Sequence, residues 1–319
     1  MFRSFFIFLS RLPWAQRLIT HWKFSWKFAS RFIAGEDRGS AIEAVQALNN
    51  EGLNATLDYL GENVTRLQDA EASVVEILAL LRDIRQAQVR ANISIKLSQL
   101  GLTLDADVCR QNVIRLLEAA RESGNFIRMD MEDSSLTQAT IDFFTGLREL
   151  GYENTGLVIQ AYLFRSQADL KKLEPFQPRI RLVKGAYKEP SQIAFAQKRK
   201  VDESFDALVR GLMISSQRFG AEPVSPDGLI PPHTAVATHD TVRIQNALAA
   251  ARELGLPQNV YEFQMLYGIR RDVQTDLAAR GHAVRVYVPY GTHWYPYFMR
   301  RLAERPANLW FFLSSYFRK

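Results

Sequence analysis

The 319-residue sequence predicts an α/β fold, a (β/α)8 TIM-type barrel behind an N-terminal helical arm, and three observations carry that expectation. Eight short β-type runs recur between residues 55 and 288. An amphipathic stretch of helical length follows each of them, the pattern of a parallel sheet with helical crossovers. No second domain interrupts the series, and a chain with 47% hydrophobic residues can bury one large core.

In chain order, strands are expected at 55–60, 92–97, 126–131, 157–162, 180–183, 234–238, 261–265 and 284–288. Helices fill the intervals at roughly 67–90, 105–122, 134–150, 166–174, 198–219, 240–254 and 270–280, and a last one at 292–304 follows the eighth strand. Asp105 and Ser134 stand where N-caps are expected, because a short polar side chain there can accept from free backbone N–H groups. Gly124, Gly151, Gly220, Gly255 and Gly281 each follow a helical stretch and stop it before the next strand. The segment 221–232, with four prolines, is the long irregular connection, and Pro306 ends the last helix. The expected division is an arm over residues 1–40 and a barrel catalytic domain over 41–319.

The net charge of +6 sits mostly in the arm. Residues 1–38 hold Arg3, Arg11, Arg17, Lys23, Lys27, Arg31 and Arg38 against Glu36 and Asp37, so the rest of the chain is nearly neutral. That distribution argues against a nucleic-acid groove across the domain. The arm also holds ten Phe or Trp residues, a mixture that suits packing against the barrel and suits contact with an anionic membrane surface. Its start is too short and too interrupted by Arg3 and Arg11 to span a bilayer. The lone cysteine, Cys109, excludes an internal disulfide framework and fits a reducing compartment, so the expected location is the cytoplasm, with peripheral contact at the inner face of its membrane.

In such a barrel chemistry gathers where the strands end. Lys96 and Ser98 end the second strand, Asp130, Glu132 and Asp133 the third, and Gln160 and Tyr162 the fourth. Arg181, Lys184 and Tyr187 mark the fifth, Thr238, His239 and Asp240 the sixth, Gln264 and Tyr267 the seventh, and Tyr287 and Tyr290 the eighth. Asp133 and Asp240 each precede a helix and read as caps. Lys96, Arg181, Lys184, Arg300 and Arg301 together predict strong positive potential at the mouth, suited to a carboxylate or a phosphate-bearing ligand. Arg300 and Arg301 can clamp a carboxylate, and Glu304, four and three residues further on, can hold either guanidinium. The sequence has no GxGxxG after a strand, no GxxxxGK[ST], no HExxH and no GxSxG, and its five histidines show no metal-ligand spacing.

Seven blocks in order, ISIKLSQLG (93–101), RMDMEDS (128–134), VIQAYL (158–163), RLVKGAYKEP (181–190), ATHD (237–240), YEFQMLYGIR (261–270) and YVPYGTHWYPYFMRRLAERP (287–306), resemble proline dehydrogenase in its bacterial single-function form. The resemblance runs from about residue 50 to residue 310. It implies oxidation of L-proline to (S)-1-pyrroline-5-carboxylate, the first step of proline catabolism to glutamate, with FAD as cofactor and a membrane quinone as electron acceptor. By the same resemblance FAD would be held by Met131, Gln160, Arg181, Lys184, Gly185, Ala186, Thr238, His239 and Glu304. Lys96, Arg300 and Arg301 would bind the proline carboxylate, and Tyr187, Leu266 and Tyr287 would wall the ring. Asp130, which orients the basic cluster, and Arg181, beside the flavin, are the implied catalytic pair. A Schiff-base lyase on the same barrel, with Lys184 or Lys96 as the amine nucleophile and no flavin, is the enzymatic alternative. A membrane-surface adaptor is the other, and it leaves the polar strand ends unexplained.

Overall fold

The computed structural model describes residues 26, 28–62 and 64–304, apart from the side chains of 303 and 304. Eight parallel strands close in sequence order: β1 (Asn54–Tyr59), β2 (Ala91–Ile95), β3 (Ile127–Met129), β4 (Thr155–Gln160), β5 (Arg179–Val183), β6 (Thr234–Ala237), β7 (Tyr261–Leu266) and β8 (Ala283–Tyr290). Closure is set by β8 against β1, with Tyr287 opposite Thr56. The helices are α1 (Arg38–Asn50), α2 (Leu67–Ala87), α3 (Ala106–Glu122), α4 (Ser134–Glu149), α5 (Ser166–Leu173), α6 (Lys198–Arg218), α7 (Thr241–Glu253), α8 (Arg271–Ala279) and α9 (Trp294–Glu304). No helix among the described residues is long and apolar enough to cross a membrane.

Each expected strand and helix of the barrel is present, and the differences lie at starts and caps. Helix α1 was not expected as an element. Asp37 caps it by accepting from the Ser40 amide, so the expected boundary at residue 40 falls inside a helix. Asp105 caps α3 as expected, whereas Ser134 is the first helical residue of α4 and Asp133 is its cap. Asp240 caps α7. The segment 221–232 lies across the N-terminal end of the barrel, where Asn92 and Arg285 donate to the Leu229 and Gly228 carbonyls at 3.0 and 2.8 Å.

Strand periodicity sorts the side chains into two environments. Leu57, Ile93, Ile95, Met129, Leu157, Ile159, Leu182, Phe263 and Val286 turn outward and are sealed beneath the helices, each worth about 1.5–3 kcal/mol of burial. The opposite parity, facing inward, carries Thr56, Asp58, Ser94, Lys96, Arg128, Asp130, Gln160, Arg181, Glu262, Gln264, Arg285 and Tyr287, all buried apart from part of Tyr287. This barrel therefore fills its centre with paired polar groups where branched aliphatic layers are usual.

A second apolar cluster is separate from that core. Phe28, Ala29, Phe32 and Ile33 pack with Leu60, Ile269 and the α9 residues Trp294, Phe298, Met299 and Leu302. The strap is pinned by backbone bonds from Ala34 to Pro289 at 2.9 Å and from Gly291 to Gly35 at 3.0 Å, and by Trp294 Nε1 donating to Glu36 at 2.8 Å. At Gly268, with φ +71°, a Cβ would lie 1.6 Å from the Arg31 carbonyl oxygen, so only glycine lets the strap approach.

Candidate active site

A cavity of about 650 Å³ opens at the C-terminal ends of the strands. Its wall contains Lys96, Asp130, Met131, Gln160, Arg181, Lys184, Gly185, Ala186, Tyr187, Thr238, His239, Leu266, Tyr287, Arg300 and Arg301, every expected site residue except Glu304. Glu304 ends α9, and its side chain lies outside the described residues.

Arg181 is the best-connected cation in the cavity. Its Nη1 donates to Asp130 at 2.7 Å and to Ser94 at 3.1 Å, its Nε donates to Gln264 at 2.5 Å, and its plane lies over the Tyr287 ring with 5.1 Å to the centroid. Its Nη2 is buried with no hydrogen-bond partner. A buried donor left unmatched costs about 1–3 kcal/mol, which marks it as prepared for something that the protein itself does not supply.

Asp130 accepts at its other oxygen from the Tyr287 phenol at 2.6 Å and sits 3.5 Å from Lys96. Lys96 also donates to both oxygens of Asp58, at 2.9 and 3.0 Å. Burial alone would push the lysine pKa down, but Asp58, Asp130 and Glu62 outweigh it and hold the ammonium charged. Burial would likewise raise Asp130, yet Arg181 and Lys96 keep it below the usual carboxylate range. Asp58 moves the other way, raised by burial and by the neighbouring Asp130 despite Lys96. Two carboxylates share one lysine, and Arg181 decides which of them is the more firmly ionised.

At the rim, Lys184 lies between Asp202 at 2.5 Å and Asp240 at 2.8 Å. Gly185 follows with φ +124°, and a Cβ there would meet the Tyr162 ring at 2.4 Å. Gln160 donates to the Glu132 carbonyl at 2.9 Å, and His239 Nε2 accepts from the Leu266 amide at 2.9 Å, leaving the ring proton on Nδ1. Thr238 accepts from the Asp240 amide at 3.1 Å. Burial raises the pKa of Tyr187 and of Tyr287, so both phenols remain protonated. On α9, Arg300 pairs with Glu62, and the Arg301 guanidinium stands 5.0 Å from the Tyr297 ring centroid.

One expectation is corrected here. The strongly positive mouth does not form, because Asp58, Glu62, Asp130, Asp202 and Asp240 pair with the cations. Cations this deep require counter-charges nearby. Arg300 is paired with Glu62, from the loop after β1, and the Glu304 side chain expected near it lies outside the described residues. The sequence reading also missed Asp58, Glu62 and Glu262. An aspartate at the inward parity of β1 was the available signal for Asp58.

Residues 41–312 match the family model described as "Proline dehydrogenase". The chain is similar to Proline dehydrogenase 2 of Bacillus subtilis (strain 168), 36% identical over 317 residues that cover 99% of each chain. It is similar to the proline dehydrogenase of Deinococcus radiodurans, 40% identical over 91% of this chain and 90% of that one. A crystal structure of proline utilization A from Bdellovibrio bacteriovorus inactivated by N-propargylglycine shares the fold, with a TM-score of 0.77 at 24% identity over 88% of this chain and 33% of that one.

Proposed function

The chain belongs to the proline dehydrogenase family, and from that premise we propose that it oxidises L-proline to (S)-1-pyrroline-5-carboxylate with FAD, passing the electrons to a quinone as the first step of proline catabolism to glutamate. The observation that carries the proposal is the unpartnered Nη2 of Arg181, buried in the wall of a cavity that also gathers Lys96, Arg300 and Arg301.

The residues fit FAD. The cavity has the volume range of cofactor sites, Gly185 lets the wall pack against the Tyr162 ring, and Arg181 brings a guanidinium with an unmatched N–H to the wall. Met131, Gln160, Arg181, Lys184, Gly185, Ala186, Thr238, His239 and Glu304 would hold it. When bound, FAD supplies the two-electron redox chemistry that side chains lack.

The remaining work is positioning and charge. Lys96, Arg300 and Arg301 would take the substrate carboxylate, and Tyr187, Leu266 and Tyr287 would enclose the ring. Asp130 holds Lys96, Tyr287 and Arg181 in one hydrogen-bonded set. The amine of proline has to be neutral before the ring carbon gives up a hydride. Burial keeps Tyr187 and Tyr287 protonated, so neither phenol is the base that takes this proton. Arg181 then stabilises negative charge that builds up opposite the substrate.

Lys96 tied to Asp58 and Lys184 tied to Asp202 and Asp240 argue against the Schiff-base alternative, which needs a neutral amine. The basic and aromatic arm supports peripheral membrane contact through residues 1–38, where a quinone would be met.

The test is a visible absorption spectrum of the purified protein before and after anaerobic addition of L-proline. Flavin bands that bleach are expected. A colourless protein that added FAD does not restore would overturn the proposal.

A further inference from the structure

Beneath the cavity lies a group of buried charges that reaches Arg181 from below. Arg285 donates from Nε to both oxygens of Glu262, at 3.0 and 3.1 Å, and uses its other nitrogens on the Ala55 and Gly228 carbonyls. Glu262 also accepts from Nε2 of Gln264. Gln264 in turn accepts at Oε1 from Nε of Arg181, at 2.5 Å. Glu262 and Arg285 are almost completely sealed from solvent, at 0% and 1% exposure.

A carboxamide has one donating end and one accepting end. Between a carboxylate and a guanidinium it can sit only one way round. Turned over, its NH2 would oppose the Arg181 N–H and its carbonyl would oppose the Glu262 carboxylate, two like-signed contacts with no water to soften them. The Glu262 charge, itself fixed by Arg285, thus sets the amide, and the amide sets the guanidinium.

We propose that Glu262 and Gln264 are positioning residues for Arg181, a relay that passes on orientation without passing on charge. A carboxylate at position 264 would hold the guanidinium equally well. It would also give Arg181 a second counter-charge beside Asp130 and weaken the positive field of the guanidinium at the cavity wall. The relay rests on the proposed role of Arg181 as the cation beside the cofactor.

The discriminating variant is the exchange Glu262→Gln/Gln264→Glu, which keeps the net charge and the links from residue 262 to 264 and from 264 to Arg181, while one of the two Arg285 bonds to residue 262 is given up. Three quantities are compared in the holoenzyme: the midpoint potential of the bound flavin, the rate of flavin reduction by L-proline, and the Arg181 Nε–H resonance after isotope labelling of arginine. The exchange should keep the KM for proline and a protected Nε–H signal and lower the melting temperature, because Arg285 loses its carboxylate, while the potential becomes more negative and reduction slows roughly tenfold or more. Gln264→Leu should lose the protected signal. A wild-type potential and rate in the exchange variant, or a protected signal in Gln264→Leu, would overturn the relay. Absence of flavin from the wild-type protein would refute the functional reading instead, and the arginine signal would still decide the relay.

Discussion

Asp58 and Lys96 are joined across adjacent strands by two hydrogen bonds of 2.9 and 3.0 Å, with the aspartate 1% exposed. Removing one partner of such a pair strands the other. Asp58→Asn is expected to lower the unfolding free energy by about 3 kcal/mol and to raise the KM for proline more than it lowers kcat. Urea titration and steady-state kinetics check both, and an unchanged midpoint would show that Asp130, 3.5 Å from Lys96, suffices alone.

Arg181→Met removes the cation while leaving Lys96 to balance Asp130. Turnover should fall by about two to three orders of magnitude, with the circular dichroism spectrum unchanged. Near-normal proline oxidation would remove Arg181 from the mechanism.

Acid stability isolates Asp240. Burial would raise its pKa, but the hydrogen bond and charge of Lys184, helped by the Val242 amide and Lys198, lower it from 3.8 to about 2. Because the folded value lies below the unfolded one, this group stabilises the fold above pH 3.8, and the contribution is lost as pH falls towards 2. Asp240→Asn should therefore cost about 2 kcal/mol at neutral pH and close the gap to wild type in strong acid, read as melting temperature against pH.

Gly185→Ala places a Cβ 2.4 Å from the Tyr162 ring at φ +124°. About 1–3 kcal/mol of strain then falls on the rim of the cavity. The purified variant should carry less flavin per protein, measured as the ratio of flavin to protein absorbance, and added FAD should restore it only in part.

Residues 1–25 lie outside the described structure, and they contain Arg3, Arg11, Arg17 and Lys23 among seven Phe and Trp residues. Each basic residue near an anionic lipid surface is worth about 1 kcal/mol. Co-sedimentation with anionic vesicles should be strong for the full chain and weak after deletion of 1–25. Equal sedimentation of both would put any membrane contact elsewhere.

The barrel was legible because each strand is a short β-type run and most of the helices end near a glycine. Helix α1 was not, since its Asp37 cap and the Gly39-Ser40 pair look like a linker when nothing shows what Ala41, Val45 and Leu48 pack against. Asp133 and Ser134 were both legible as cap candidates for α4; Asp133 takes the role, and Glu189 engages Ser134 from a distant loop. The cations of the cavity stood out at strand ends. Their counter-charges did not: Asp58 and Glu62 look like ordinary polar residues until closure of β8 onto β1 brings that edge of the sheet to the others. Glu262 is hidden further, because its task is defined wholly by Arg285 and Gln264.

Trp294 and Glu36 meet 258 residues apart in sequence. The strap is made before α9, so the polypeptide can close its sheet and cover it with helices before the wall bearing Arg300 and Arg301 exists. Assembly of that wall is then a late, long-range event whose loop-closure entropy has already been reduced by the folded barrel between its halves. A chain interrupted before Trp294 would lack the partner of Glu36 and the wall that carries Arg300 and Arg301, so its cavity would stay open on that side.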